Sequence, residues 1–351
     1  MGRAPGQRFR FEQYFTFLEK AGFACELSYL ISEKDDKIFY QKGRFIPKAL
    51  LTFKWFLKRA RDLKRIKKFD IVFVCREALM TRSIFFEKGI KKQKVKFIFD
   101  FDDSIWLQNV SDANKRFVWL KDAEKTSRLI KLADMVFAGN NYLASYAKKF
   151  NGNIKIIPTT INTEKYFRLS TEKVSNKKIC IGWSGSITTI MHFEFAIPFL
   201  KKIKEKYNNN ITFKVIGDSS YRNEELNITG NAWNEENEIQ ELSDFDIGIM
   251  PLPDDEWAKG KCGLKGIQYM ALEIPTIMSP VGVNTEIIQD GVNGFLAGDV
   301  DEWVEKLSLL IESSALREKL GKAGRQTVLE KYSFESQKQH YLSCFQELIK
   351  K

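Results

Sequence analysis

Short apolar runs alternate with stretches of helical spacing from one end of the chain to the other. In the first half, runs of strand length fall at 24–31 (ACELSYLI), 70–75 (DIVFVC), 95–100 (VKFIFD), 134–139 (DMVFAG) and 154–158 (IKIIP). A polar stretch over 159–178 follows. A second series has strands at 179–185 (ICIGWSG), 211–217 (ITFKVIG), 246–252 (DIGIMPL) and 275–280 (PTIMSP). Helical patterns fill the intervals, and helices over 301–313, 315–331 and 334–350 end the chain. Apolar strands alternating with helices are the mark of parallel α/β sheets. The pattern predicts two doubly wound, Rossmann-like domains in tandem with a cleft between them, over 1–165 and 177–332, and a final helical segment over 333–351.

The opening GRAPGQRFRF reads as a loop leading straight into a helix from Phe9 to Ala21. A doubly wound sheet has its first strand at the centre, with loop and helix after it. No strand precedes Phe9. The sequence therefore predicts either an unusual first sheet lacking that strand or a start codon assigned about ten residues late.

A chain of 351 residues exceeds one ordinary core. With 44% hydrophobic and 29% charged residues, it has the composition expected of a soluble globular protein. No apolar run approaches the roughly 20 residues of a membrane-spanning helix, and MGRAPGQRFR lacks the hydrophobic stretch of a signal peptide. The scattered cysteines (Cys25, Cys75, Cys180, Cys262, Cys344) form no CxxC and read as reduced thiols of a cytoplasmic protein. With only His192 and His340, zinc sites and histidine triads have little support. Charge is uneven: residues 1–165 carry 34 Lys and Arg against 18 Asp and Glu, while the remainder is mildly acidic. Such asymmetry points to an anionic partner of the first half, whether membrane surface, nucleic acid or phosphorylated substrate.

Candidate chemistry concentrates in GKCGLKGIQYMALEIPTIMSPVG (260–282). A glycine-rich loop feeding a helix presents free backbone N–H groups and the positive end of the helix dipole. Lys261 and Lys265 would make it a diphosphate pocket, and Gln268, three residues past Lys265, can reach the same site. An ordinary turn with solvated lysines has the same spacing. Asp102 and Asp103 lie past the carboxyl end of a strand, where open α/β sheets bind ligands; as caps of the next helix they would be structural. Asp100 and Asp102 also match the DxD that holds a divalent cation in metal-dependent glycosyltransferases. Arg8 and Arg10 suit phosphate recognition through their forked donors, or form a surface pair. KGRFIPKALLTFKWFLKRARDLKRIKKFD (42–70) holds eleven Lys and Arg against Asp62 and Asp70. Its apolar stripe (Ile46, Ala49, Leu50, Phe53, Phe56, Ala60, Leu63) predicts a core-facing helix with a solvated basic back. Phe45, Trp55 and Leu57, partly off that stripe among cations, suit contact with an anionic membrane surface.

From DIGIMPLPDDEWAKGKCGLKGIQYMALEIPTIMSPVGVNTEIIQDGVNGFLAGD onward, with IGWSGS (181–186), IFDFDDSIW (98–106) and PGQRFRFEQY (5–14), the sequence resembles glycosyltransferase family 4. The pattern from Gly260 to Gly298 is the most specific part. The resemblance implies a GT-B fold and retaining transfer from a nucleotide-diphosphate sugar to a glycan or lipid-linked acceptor, in surface polysaccharide or glycolipid assembly, without metal, cofactor or nucleic acid. It implies that the last helix crosses back onto the first domain. It places Glu286 on the donor side, and Arg8 and Arg10 on the acceptor or phosphate side. The family's two glutamates fall on Gly260 and Gln268. A glutamine can still bond a ribose hydroxyl, whereas Gly260 cannot replace a carboxylate, and Asp254, Asp255 and Glu256 are the nearest substitutes. SGSITTI lacks the family's basic pair, so Lys261 and Lys265 take the diphosphate, with the Gly185 and Ser186 backbone approaching it closely. Asp102 and Asp103 occupy the place of a family histidine and would position or help to deprotonate the acceptor. A nucleotide-sugar 2-epimerase of the same fold, and a non-enzymatic polyanion or membrane binder, are the competing readings.

Overall fold

The computed structural model describes residues 5–39, 43–107, 122–168 and 178–350. Residues 169–177 of the polar stretch expected between the domains, and Lys42, lie outside the described residues. The chain divides into two compact units.

The first unit holds Phe15–Pro158 together with His340 onward. Its sheet has four parallel strands in the order β1 (Ile71–Cys75), β2 (Lys96–Phe101), β3 (Met135–Ala138) and β4 (Ile154–Ile156). Both faces of β2 and β3 are covered, as their continuous apolar sequences require. Phe97, Phe99, Phe101 and Phe137 are all fully buried. The final helix, Phe334–Lys350, supplies part of that cover: the Tyr341 and Phe345 rings lie 5.5 and 6.1 Å from Phe137. Tyr341, Leu342, Phe345 and Leu348, the apolar positions of its helical pattern, are buried.

Two expectations for this unit are corrected. Residues 24–31 form no strand. The alternation is real as exposure, with Cys25, Leu27 and Tyr29 half-buried and Ala24, Glu26 and Ser28 exposed. Its polar side chains bind the long helix Phe45–Arg65 and its end: Ser28 donates to Asp62 and Glu26 accepts from Arg65. The second correction concerns the long helix itself. Lys48, Leu51 and Trp55 face inward, while the stripe expected in the core points out, with Ile46, Leu50, Phe53 and Phe56 exposed. Trp55 was expected among the cations; it is buried, packs edge-on to Phe39 at 5.4 Å and turns its indole toward Asp35.

The second unit combines residues 5–14 with Thr159–Gln339. The expected first helix is broken into Pro5–Arg10, a 3-10 turn Glu12–Tyr14, and Phe15–Lys20, and only Phe15–Lys20 groups with the four-stranded unit. Gln13 bonds the carbonyl and hydroxyl of Thr160, and Tyr14 bonds the same hydroxyl. The five-stranded parallel sheet comprises β5 (Ile179–Ser184), β6 (Ile211–Ile216), β9 (Ile247–Met250), β10 (Thr276–Met278) and β11 (Phe295–Leu296), in the order β11-β10-β9-β5-β6. A small hairpin, β7 (Arg222–Asn223) and β8 (Ile228–Thr229), follows β6. The two-residue strands β7, β8 and β11 are too short to carry a readable periodicity.

Apolar clusters pack around this second sheet. Phe245, Tyr269 and Met270 belong to one, and Trp183, Phe193, Phe199 and Trp303 to another. Phe199 and Trp303 stack in parallel with centroids 4.4 Å apart. Trp303→Ala would leave a cavity beneath Phe199 and is expected to cost about 3–5 kcal/mol. The change should appear in urea unfolding as a lower midpoint at an unchanged slope.

Candidate functional site

The loop after β9 is built by local capping. Asp255 accepts from the Ala258 amide at 2.7 Å and starts the short helix Glu256–Lys259. Lys259 answers Glu256 at 2.9 Å and Asp254 at 3.6 Å. The acidic trio near Gly260 is thus engaged in shaping the loop. Gly263 then sits at φ +68°, and a Cβ there would fall 2.2 Å from Ile287, so the left-handed turn into helix Leu264–Ala271 needs glycine.

This turn sets the two lysines against aromatic faces. Lys265 Nζ lies 5.3 Å from the Trp183 ring centroid, and Lys261 Nζ lies 5.1 Å from that of Trp257. Trp183 is on β5, and Gly185 rests on it so closely that a Cβ would meet its ring at 2.1 Å. Lys265, Trp183 and the Gly185–Ser186 turn therefore form one group at the carboxyl end of β5. The backbone donors expected of that turn are occupied: the Gly185 amide bonds Ile216 O and the Ser186 amide bonds Thr189 Oγ1, both at 2.9 Å. A diphosphate there would meet side-chain cations more readily than these amides.

His192, on the helix Ile190–Phe193 after the same turn, joins this group. It is buried, and its Nδ1 has no hydrogen-bond partner among the described residues. Burial first, then the charges of Lys265 and Lys261, push its pKa down to about 4, with Asp255 acting in the opposite sense. With His340 as the one other histidine of the chain, composition gives His192 little support as a ligand or triad member, and no nearby histidine or cysteine gives it a recognisable spacing.

Gln268 has a different setting. It is buried, and its Nε2 donates to Glu238 Oε1 at 3.0 Å and to the Tyr166 hydroxyl at 3.3 Å. Glu238 Oε1 also accepts from Trp233 Nε1 at 2.9 Å, while Oε2 accepts from Arg8 Nη2 at 2.5 Å and from the Tyr166 hydroxyl. Burial, then the adjacent Glu238 charge, raises the Tyr166 pKa well above its usual range. Because the carboxylate fixes which side carries the NH2 group, Gln268 is held with its carbonyl oxygen turned away from Glu238. Arg8, expected on the phosphate side, is thus committed to an ion pair, and its guanidinium lies 4.2 Å from the Phe9 ring centroid. Arg10 is fully buried. Glu286 is exposed in the first turn of helix Asn284–Ile287.

In the four-stranded unit, Asp102 and Asp103 follow β2 and are gripped by one arginine. Arg76 Nε donates to Asp102 at 2.8 Å and Nη2 to Asp103 at 2.7 Å. Arg76 follows β1 at φ +61°, and its amide bonds Asp100 O at 2.7 Å. The two aspartates cap no helix among the described residues. Asp100 of the DxD pattern is buried within β2, and Asp102 is paired with Arg76. Beside them Trp106 stacks on Tyr146, centroids 3.8 Å apart.

Residues 178–313 match the family described as "Glycosyl transferases group 1". That match covers less than half of the chain, and the fold of the whole is of the GT-B type, with two Rossmann-like domains. It is 31% identical over 83 residues to spore coat protein SA of Bacillus subtilis (strain 168), a match spanning 23% of this chain and 22% of that relative's length. Among solved structures it resembles sucrose-phosphate synthase from Thermosynechococcus elongatus (TM-score 0.62, 14% identity, 84% of this chain and 78% of that one). It also resembles Anabaena Alr3699/HepE in complex with UDP-glucose (TM-score 0.63, 11% identity, 83% and 82%). A glycosyltransferase from Rickettsia africae is similar over 96% of this chain and 88% of its own (TM-score 0.61, 18% identity). At such identities these likenesses are of fold alone.

Two outcomes follow from the site. Gln268→Glu would set a second carboxylate 3.0 Å from Glu238, at an expected cost of about 1–3 kcal/mol. The Glu238→Gln/Gln268→Glu exchange should recover most of the lost thermal stability. For His192, the unfolded chain binds a proton near pH 6.5 and the folded chain only near 4. Stability should therefore be lost as pH falls from 6.5 toward 4, and His192→Gln should flatten that part of a pH series of urea midpoints.

Proposed function

We propose that this protein is a retaining glycosyltransferase that moves a sugar from a nucleotide-diphosphate sugar to a glycan or lipid-linked acceptor at an anionic membrane surface, in surface polysaccharide or glycolipid assembly. The observation that carries the reading is the convergence of Lys261 and Lys265 beside His192, with Lys265 against Trp183 at the carboxyl end of β5. The family match over 178–313 and the fold shared with HepE, whose structure holds UDP-glucose, support it.

In this reading the lysines meet the diphosphate. As the sugar–phosphate bond breaks, negative charge grows on the leaving oxygens, and cations already in place stabilise it without reorganisation. Gln268, held by Glu238, offers its carbonyl oxygen to a ribose hydroxyl, the part played by a carboxylate in the family. With retention at the front face, the leaving phosphate takes the acceptor's proton. Asp102 and Asp103, fixed by Arg76, then position the acceptor, and Trp106 gives a sugar ring an apolar face. Fixed ammonium groups supply the charge that a metal ion provides elsewhere, so transfer is expected to persist in excess chelator.

The test is nucleotide binding by Lys261→Ala and Lys265→Ala. Each loses a charge-assisted bond, and UDP affinity should fall roughly ten- to hundredfold by calorimetry. Unchanged affinity for UDP and for the GDP, ADP and dTDP alternatives, in variants that remain folded, would remove the reading.

A further inference from the structure

The long helix Phe45–Arg65 turns its apolar side to solvent. At 100° per residue, Ile46, Leu50, Phe53 and Leu57 fall on one line. Ile46 is 75% exposed, Leu50 65% and Phe53 61%. Phe56 borders the line and meets Phe85 of the next helix, Phe85–Lys92, with ring centroids 6.3 Å apart. Phe85 is itself exposed, so the apolar strip extends over a second element. Single exposed apolar residues are ordinary on a protein surface, but a continuous row of aliphatic and aromatic groups marks a contact site.

Charge completes the face. Arg61 and Lys64 carry the helix line onward beyond Leu57, and Lys67 follows in the 3-10 turn after it. Asp35, Asp62 and Glu26 answer other cations of this region, namely Lys54, Arg59, Arg65 and Lys68. Arg61, Lys64 and Lys67 are exposed and meet no acidic side chain among the described residues. The helix is thus apolar at one end and cationic at the other along the same outward line. No helix among the described residues is long and apolar enough to cross a membrane.

We infer that this face seats the protein on an anionic lipid surface, with Ile46, Leu50, Phe53 and Phe85 entering the acyl boundary and Arg61 and Lys64 on the lipid phosphates. An amphipathic helix of this design lies in the interface plane, where apolar burial and attraction to anionic headgroups act together. A nucleic acid would use the cations and leave the apolar row in water. A second copy of the same face would cover the row and leave the cationic end without an anionic partner. An anionic bilayer matches both halves. The inference takes up the membrane-side part of the proposed function, and its test uses neither donor nor acceptor.

The experiment is sedimentation of the full chain with vesicles of phosphatidylcholine, with and without phosphatidylglycerol. Binding is expected on the anionic vesicles and at least about tenfold weaker on the neutral ones. Two sets of surface substitutions, Ile46→Ser/Leu50→Ser/Phe53→Ser and Arg61→Glu/Lys64→Glu, should each lower it about tenfold or more while circular dichroism and UDP affinity stay unchanged. The inference is overturned if the wild-type chain binds neither vesicle. It is equally overturned if the serine variant binds as well as wild type, or if wild type forms a dimer that the serine variant abolishes. None of these results touches UDP binding, which stands or falls on the lysine variants.

Discussion

Glu238 is a buried carboxylate that collects donors from four separate stretches of chain: Arg8, Tyr166, Trp233 and Gln268. A charge in such a place is tolerated only when paired and fully hydrogen-bonded. The leading segment, the stretch after Thr159 and the helix of the candidate site are therefore tied to one point. Removal of any donor leaves the carboxylate short of a partner, which costs more than an ordinary hydrogen bond contributes. The same constraint decides what Gln268 can do, since its NH2 group is held inward and only its carbonyl oxygen is left to meet a ligand.

The cationic part of the site follows a second rule. Lys261 and Lys265 lie close to aromatic faces, whose electron-rich centres favour the ammonium groups. Burial of His192 first, and then the charges of these lysines, keep it neutral at ordinary pH. The positive charge of this pocket therefore resides on the two lysines, which suits a role in meeting a leaving diphosphate. On the other unit, Arg76 closes Asp102 and Asp103 into a rigid carboxylate pair, a better device for orienting a hydroxyl than for exchanging its proton.

Much of this was legible in the chain because it is local. The central strands announce themselves as apolar runs, since a parallel strand covered on both faces tolerates little else. The lysines, Gly263 and Gln268 lie within a few residues of one another, so their spacing alone brings them to one turn. Glu238 and Tyr166 lie 30 and 102 residues from the glutamine they bond, and no periodicity links them. His192 escaped notice for the same reason.

The amino-acid sequence by itself determined the two sheets, the glycine turn with its lysines, and the apolar stripe of the basic helix, because each depends on neighbours in the chain and on backbone geometry. Only the tertiary structure decided which way that stripe faces. Periodicity shows that a helix has two sides, but packing selects the buried one, and Trp55 with Leu51 filled the interior while Ile46, Leu50 and Phe53 were left outside. Tertiary structure also decided that Arg8 serves a buried carboxylate. The charge of an arginine is written in the sequence, whereas the partner it neutralises is chosen by the fold.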